Sequence, residues 1–343
     1  MKSVTRILAS VAFGLALGGS AIAQEVTLRF HSFIHATSYQ QVKFFEPWCA
    51  KIKEQSAGRM VCQIYPSMQL GGAPGELFNQ ARDGIVDIVY GNPGYSPGSY
   101  LAAEVFELPF MLNDVHNAAR AMWDVLGDNP GPEFDGLRLI AIAPADFPII
   151  QTTDKQVHTM EDLAGLKLRS AGRYGAKVLE ALGALPIQMP AGEIVDSLNR
   201  GVIDGAYLPW SAVNLLKLGE TMKHFTDFGD GQKRMYTSVQ IVAMSQATYD
   251  RLPDDLKKVI DDNRGIEASV QFGDAFESTA VADKKTFADA GADIYILPDA
   301  EYERWKKAAE PIADGWVADA NKKGLDGAKL LEQARAAVAK YAK

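Results

Sequence analysis

At 343 residues the chain is long enough for two domains or one large one. Its 47% apolar and 23% charged residues exclude a disordered chain, a collagen-like fibre and a polytopic membrane protein. A net charge of −8 with no basic stripe argues against a nucleic-acid partner, whose phosphates need Lys and Arg.

Residues 1–23 carry Lys2 and Arg6, then the short apolar run Ile7–Gly19, then Ala21-Ile22-Ala23. This is the pattern of a secretory signal peptide, and the apolar run is too short for the roughly 20 residues a membrane span needs. Cleavage after Ala23 would remove one Lys, one Arg and no acid, deepening the net charge from −8 to −10. The mature protein is expected to be soluble outside the cytoplasm.

The mature chain opens with a strand at Val26–Phe30 and a helix carrying Val42, Phe45, Cys49 and Ile52 at helical spacing, which Pro47 should start or kink. A strand at Val61–Tyr65, a helix at Glu76–Asp83 and a nearly continuous apolar strand at Ile85–Tyr90 follow. Asn113 or Asp114 can cap a helix through Leu126, and Leu137–Ala143 is another buried strand.

The same alternation restarts after residue 146. Thr159 and Asp162 stand at capping-box spacing before a strand at Leu166–Arg169 and a helix at Gly175–Leu182. A short strand at Ile187–Met189, a helix at Glu193–Arg200 and a strand at Val202–Leu208 complete the second run, and Thr237–Met244 adds one more strand. Pro253–Ala290 reads as one long helix, and the last 45 residues are helical and charged. Two runs of β-α-β-α-β predict an α/β protein of two lobes with mostly parallel sheets and a cleft between them.

Cys49 on the predicted helix and Cys62 on the next strand are separated by a turn at Gly58. Export permits a disulfide between them, and that is the expectation; two small buried thiols that never meet are the alternative. Neither has the spacing or the His partners of a metal site.

Motifs for catalysis are scarce: there is no HExxH, and no GxGxxG follows a strand. The run Leu70–Gly75 is Gly-rich but lacks the GK[ST] ending of a phosphate loop and reads as a turn. His31 and His35 fall on a strand and its exit loop, which suits a structural or pocket-lining role. Asp254-Asp255 and Asp261-Asp262 read as solvated helix faces. No metal and no cofactor are expected.

A binding geometry remains, because ligand sites favour domain interfaces and the carboxyl ends of parallel strands. Arg169 ends one such strand, and a guanidinium there can take a planar carboxylate by two parallel hydrogen bonds. Taken alone, it reads more readily as an exposed or salt-bridged Arg. Trp210, after Pro209, either walls the cleft or fills core.

The motifs Leu163-Ala164-Gly165-Leu166-Lys167-Leu168-Arg169, Glu180-Ala181-Leu182-Gly183-Ala184, Met189-Pro190 and Gly201-Val202-Ile203-Asp204-Gly205 together resemble the signature of the DctP-type family. These are the solute-binding proteins of tripartite ATP-independent periplasmic (TRAP) transporters. Ser56-Ala57-Gly58-Arg59, Pro66–Gly72, Arg82–Asp87 and Phe106-Glu107-Leu108-Pro109-Phe110 match the family's first half in the same order. The resemblance implies the two-lobed periplasmic binding protein fold, with a long helix spanning both lobes. Lobe I would comprise 24–146 with about 235–275, and lobe II 147–234 with about 276–343. It implies a small organic acid as ligand, with Arg169 clamping its carboxylate. It also implies small and large integral membrane subunits that take up the ligand on an ion gradient.

Two positions depart from the family. Leu208 stands where an Asn often follows the GVxDG segment, and Ile149-Ile150 stand where some members place a second Arg. Two polar partners exchanged for apolar groups would leave a second carboxylate desolvated without compensation. The expected ligand is therefore a monocarboxylate with an apolar or aromatic body. Phe33, Tyr95, Phe147, Trp210 and Tyr236 are its candidate walls, with Leu208 and His35 beside them. Asn92 is a candidate polar contact and Arg234 a candidate second cation. The C-terminal helix (Ala328–Tyr341) packs on its own body or on a second copy, which would make a homodimer. Two other readings stay open: the binding component of an ATP-driven importer, and a secreted two-lobed enzyme acting on organic acids.

Overall fold

The computed structural model describes residues 25–342, and the expected signal peptide lies outside the described residues. The strands in chain order are β1 (Val26–Ser32), β2 (Met60–Tyr65), β3 (Ile88–Gly91), β4 (Leu137–Pro144), β5 (Pro148–Thr152), β6 (Lys167–Ser170), β7 (Leu185–Gln188), β8 (Gly205–Pro209), β9 (His224–Asp227), β10 (Val239–Ser245) and β11 (Asp293–Ile296). They form two sheets, ordered β2-β1-β3-β10-β4 and β11-β9-β5-β8-β6-β7.

Neither sheet is purely parallel. β10 runs antiparallel to both β3 and β4, and β5 runs antiparallel to both β8 and β9. The cause is the chain path. β4 runs toward the other lobe, crosses through residues 145–147 and enters the second sheet as β5 from its cleft side. β10 enters the first sheet the same way after β9. Strands that arrive from the cleft must oppose strands that end there.

β5, β9 and β11 are absent from the sequence reading. β5 opens on a proline and is five residues long, while β9 and β11 have four each, too short for alternation to register.

The helix expected over Pro253–Ala290 is broken into Asp254–Asp261 and Ile266–Asp289. Gly265 sits at φ +114°, a left-handed backbone that non-glycine residues rarely adopt. The break serves β4, which lies at the edge of its sheet: Gly265 N–H donates to Ile140 O at 3.1 Å and Arg264 Nε to Leu139 O at 2.8 Å. One turn on, Ile142 N–H donates to Ser269 Oγ at 3.1 Å, so the edge is covered rather than left open to another chain.

The 24-residue helix Ile266–Asp289 still crosses both lobes. Phe272 and Phe276 pack with Phe30, Phe45 and Trp48 on the first sheet, while Ala280 and Phe287 pack with Trp210 and Phe225 on the second. Gly273 permits close approach to the helix Val115–Met122, since a Cβ there would stand 2.8 Å from Val115 Cγ1. The last helix, Gly327–Tyr341, lies on that same helix Val115–Met122, and its Lys340 and Tyr341 both bond Asp124.

Local signals hold where they are strongest. Asp114 Oδ1 caps its helix by accepting from Asn117 N–H at 2.7 Å. Thr159 and Asp162 form a capping box, and Lys155 with the His158 and Thr159 N–H groups holds the Asp162 carboxyl down at about 2. Pro47 sits in the first turn of the helix Glu46–Gln55, as its missing N–H demands.

Cys49 on that helix and Cys62 on β2 form a disulfide, with Cα atoms 5.6 Å apart. Replacing both (Cys49→Ser with Cys62→Ser) is expected to lower the unfolding free energy by about 2–4 kcal/mol in a guanidinium titration. A double variant as stable as the parent would show that the bridge does not constrain the unfolded chain.

Candidate functional site

The carboxyl ends of the parallel strands and the amino end of β10 meet between the sheets. There they enclose a cavity of about 130 Å³. Phe33, Ile34 and His35 reach it just past β1, Tyr90 and Asn92 at the end of β3, and Ala145 just past β4. The second lobe supplies Arg169 and Ala171 at the end of β6 and Leu208, Pro209 and Ser211 at the end of β8. Six of the residues singled out from sequence are thus brought together: Phe33, His35, Asn92, Tyr95, Arg169 and Leu208.

Arg169 is 2% exposed, on a strand flanked by β7 and β8. Its Nε donates to Met189 O at 3.0 Å, and among the described residues it has no carboxylate partner. Burial draws its pKa below the ordinary value, while the Tyr95 and Tyr236 hydroxyls beside it and Glu193 act the other way. An Arg side chain stays charged in a protein, so this is a desolvated cation whose outer N–H groups are held at the cleft. It is the one Lys or Arg among the residues that line the cavity.

The remaining wall is largely aromatic and aliphatic. Phe33 stacks on Tyr90 with ring centroids 4.8 Å apart, and Tyr95 meets Phe33 edge-on at 5.3 Å. The Tyr95 hydroxyl also accepts from Ala191 N–H at 3.3 Å, joining the two lobes. Close by, the lobes touch backbone to backbone: a Cβ on Gly94 would stand 3.2 Å from Gly172 Cα, so neither position has room for a side chain. Asn92 Oδ1 is turned to this loop, accepting from Gly94 N–H at 2.8 Å.

Four expected residues are not brought to the cavity. Trp210 is core: it stacks on Phe225 at 5.0 Å, and its Nε1–H donates to Asp227 Oδ2 at 3.2 Å. Arg234 is paired with Asp227 at 3.1 Å and lies 5.8 Å from the centre of the Phe147 ring, and neither lines the cavity. Tyr236 is buried behind Arg169 and packs under Gly172 and Gly175. His35 reaches the rim but is exposed, its Nδ1 3.1 Å from Ser67 Oγ.

Sequence reasoning missed Gln40, Tyr90, Ser211, Ser238 and Gln240, all of which line the cavity. A Gln inside the otherwise apolar run Val239–Met244 was the available signal. Also missed was Gly94-Tyr95-Ser96-Pro97-Gly98, which has the spacing of a nucleophile elbow. Ser96 follows a 3-10 turn rather than a strand, and its hydroxyl donates to Gly75 O at 2.7 Å, so no base is positioned on it.

Three larger cavities lie elsewhere, and in the one of about 380 Å³ beside Arg82 and Glu133 no charged side chain is buried. A second of about 400 Å³ runs between the Leu108–Ala118 segment and the last helix, and its cations Lys233 and Arg335 are exposed. Another of about 560 Å³ opens outside Tyr95 between residues 73–79 and 188–193. None contains a buried unpaired charge, which is why the smaller interlobe cavity is the candidate site.

Two buried carboxyls sit at the crossings that frame it. Asp146, on the β4–β5 crossing, accepts from the N–H of Ser211 at 3.0 Å and from its hydroxyl, and burial pushes its pKa up to about 7. Glu107 accepts from Val239 N–H at 2.9 Å, at the start of β10, and burial together with Glu104 pushes it up to about 8.

Residues 31–319 match the bacterial extracellular solute-binding proteins of family 7, the DctP family. The chain belongs to that family. It is 38% identical to a TRAP solute-binding protein from Rhodoferax ferrireducens T118 solved with copurified benzoate, at a TM-score of 0.89 over 92% of this chain and 98% of that one. A marine metagenome TRAP solute-binding protein specific for aromatic acid ligands, solved with 3-hydroxybenzoate, is 36% identical at a TM-score of 0.89 over 94% of this chain and 100% of that one. The C4-dicarboxylate-binding periplasmic protein DctP of Rhodobacter capsulatus is 25% identical over 90% of this chain and 91% of its own length. This family 7 protein is thus a TRAP solute-binding protein, of a class that binds small molecules and works with membrane subunits.

Both buried carboxyls hold protons in the folded protein at pH values where an unfolded carboxyl, with a pKa near 4, has lost them. The native state therefore binds more protons, and their contribution to stability falls as pH rises, up to about 7 for Asp146 and about 8 for Glu107. In thermal melts between pH 4.5 and 8, Asp146→Asn should flatten that slope below about pH 7, and Glu107→Gln should flatten it up to about pH 8. Slopes identical to the parent's would contradict the assignment.

Proposed function

We propose that this protein captures a monocarboxylate with an aromatic body in the interlobe cleft and hands it to the membrane subunits of a TRAP transporter for ion-gradient-driven uptake. The single observation that carries the reading is Arg169, a buried guanidinium without a carboxylate partner among the described residues, in a cavity walled largely by aromatic and aliphatic side chains. One ligand carboxylate supplies the counter-charge by two parallel hydrogen bonds. Phe33, Tyr90 and Tyr95 pack on a planar body, and Leu208 removes a polar partner that a dicarboxylate or polyol would need. The ligands held by the two similar aromatic-acid structures, benzoate and 3-hydroxybenzoate, support the same class.

We place the protein in the periplasm, with residues 1–23 as its cleaved signal peptide. We take residues 24–146 with about 235–275 as lobe I and 147–234 with about 276–343 as lobe II. The final helix, although in the lobe II segment, rests on the Val115–Met122 helix of lobe I.

Two measurements test the proposal. Arg169→Ala should weaken carboxylate binding by more than tenfold, about 1.4 kcal/mol, in calorimetry. In a thermal-shift screen, aryl monocarboxylates should stabilise the protein more than succinate or sialic acid. A smaller loss, or a preference for either of those two acids, would overturn the assignment.

A further inference from the structure

We propose that the lobe I wall of the cleft reads a neutral hydroxyl group on the ligand, and that Gln40 and Ser238 are the residues that do so. The proposal rests on the aryl-carboxylate reading of the cleft and adds a second point of recognition to it.

Gln40 lines the cavity and is only 6% exposed. It precedes the helical turn Gln41–Phe45 without capping it, and its side-chain amide has no hydrogen-bond partner among the described residues. An amide that opens onto the cavity without a protein partner loses its contact with water when a ligand fills the cavity, so it points to a polar atom on the ligand.

Ser238, 7% exposed on the same cavity, stands at the end of an ordered chain of donors. The Tyr90 hydroxyl donates to Gln240 Oε1 at 2.6 Å, and Gln240 Nε2 donates to Ser238 Oγ at 2.8 Å. The direction of those two bonds makes Ser238 an acceptor from the protein, and its own O–H is left to donate.

The wall therefore offers one hydroxyl donor at Ser238 and an amide at Gln40 that both donates and accepts. A hydroxyl is the small group that answers both, accepting from Ser238 and donating to Gln40 Oε1. A second carboxylate does not fit this end, because the lobe I lining contains no Lys or Arg and His35 is turned to Ser67. A ligand held this way bridges the cleft, its carboxylate on Arg169 of lobe II and its hydroxyl on lobe I.

The test is calorimetry with benzoate, the three hydroxybenzoate isomers and the matching methylbenzoates, on the parent protein, Gln40→Leu and Ser238→Ala. At least one hydroxybenzoate should bind the parent about fivefold or more tighter than both benzoate and its methyl analogue. Both variants should erase that preference, read as the ratio of hydroxybenzoate to benzoate affinity within each variant. A hydroxyl preference below fivefold in the parent overturns the proposal, as does one that survives in both variants. So does an equal loss of benzoate and hydroxybenzoate in whichever variant keeps the parent's melting temperature. Those results leave the aryl-carboxylate reading standing, whereas a parent that binds none of these acids overturns both.

Discussion

A guanidinium buried between two lobes, with no carboxylate of its own, is the constraint around which the cleft is arranged. Desolvating a charge costs several kcal/mol unless hydrogen bonds or a counter-ion answer it. Arg169 receives part of that answer from Met189 O and from the Tyr95 and Tyr236 hydroxyls. The other guanidinium groups near the lobe contacts are treated differently: Arg173 is paired with Glu104 at 2.7 Å and Asp319 at 3.2 Å, and Arg234 with Asp227. Those pairs hold structure together. Of these three, Arg169 alone has no carboxylate partner, and it lies on a β-strand whose backbone bonds to neighbours on both sides prevent it from swinging out to water.

The chain path supplies the rest of the geometry. Because β4 crosses from one lobe to the other at residues 145–147 and β10 returns, each sheet contains one strand that runs against its neighbours. That reversal is what brings the amino end of β10, with Ser238 and Gln240, to the cleft; in an all-parallel sheet its other end, near Met244, would lie there. The crossings also bury Asp146 and Glu107, each accepting a backbone N–H from the element across from it. Glu107 and Tyr236 meet beneath Gly172, where a Cβ would stand 3.4 Å from Oε2 and 3.0 Å from the hydroxyl. The support of Arg169 and the start of β10 are thus parts of one buried polar layer.

This path also explains what could be read from sequence. Strands with long apolar runs and helices with explicit caps, such as Asp114 and the Thr159–Asp162 box, were legible because local chemistry determines them. Arg169, Asn92, Phe33 and Leu208 were legible because strand ends in an α/β protein point to the cleft whatever the details. Trp210 was not. It lies two residues beyond Leu208 and would share its face on a continued strand, but the chain turns into a helix there and carries the indole onto Phe225. Ser238 and Gln240 were not placed for a different reason: which end of their strand meets the cleft follows from its antiparallel direction, which no local pattern announces. The break at Gly265 is likewise tertiary, set by the open edge of β4.

The overall charge sharpens the role of the single cation. An acidic chain, at −8 as given and −10 without residues 1–23, gains nothing from its general field when it attracts an anion. Exposed charges are also screened beyond about 8 Å at physiological salt, so the surface acids neither steer nor strongly repel at the distance where binding is decided. Attraction has to act at short range and in low dielectric, where one ion–ion contact is strengthened several-fold over water. That requirement selects a small cavity with largely apolar walls over the larger cavities, none of which is lined by a buried cation. In the proposed function, the features that make Arg169 expensive to bury are the same ones that would make it effective against a carboxylate. An aromatic wall would meet both demands at once, since it excludes water from the charge and offers a surface for the body of the molecule that neutralises it.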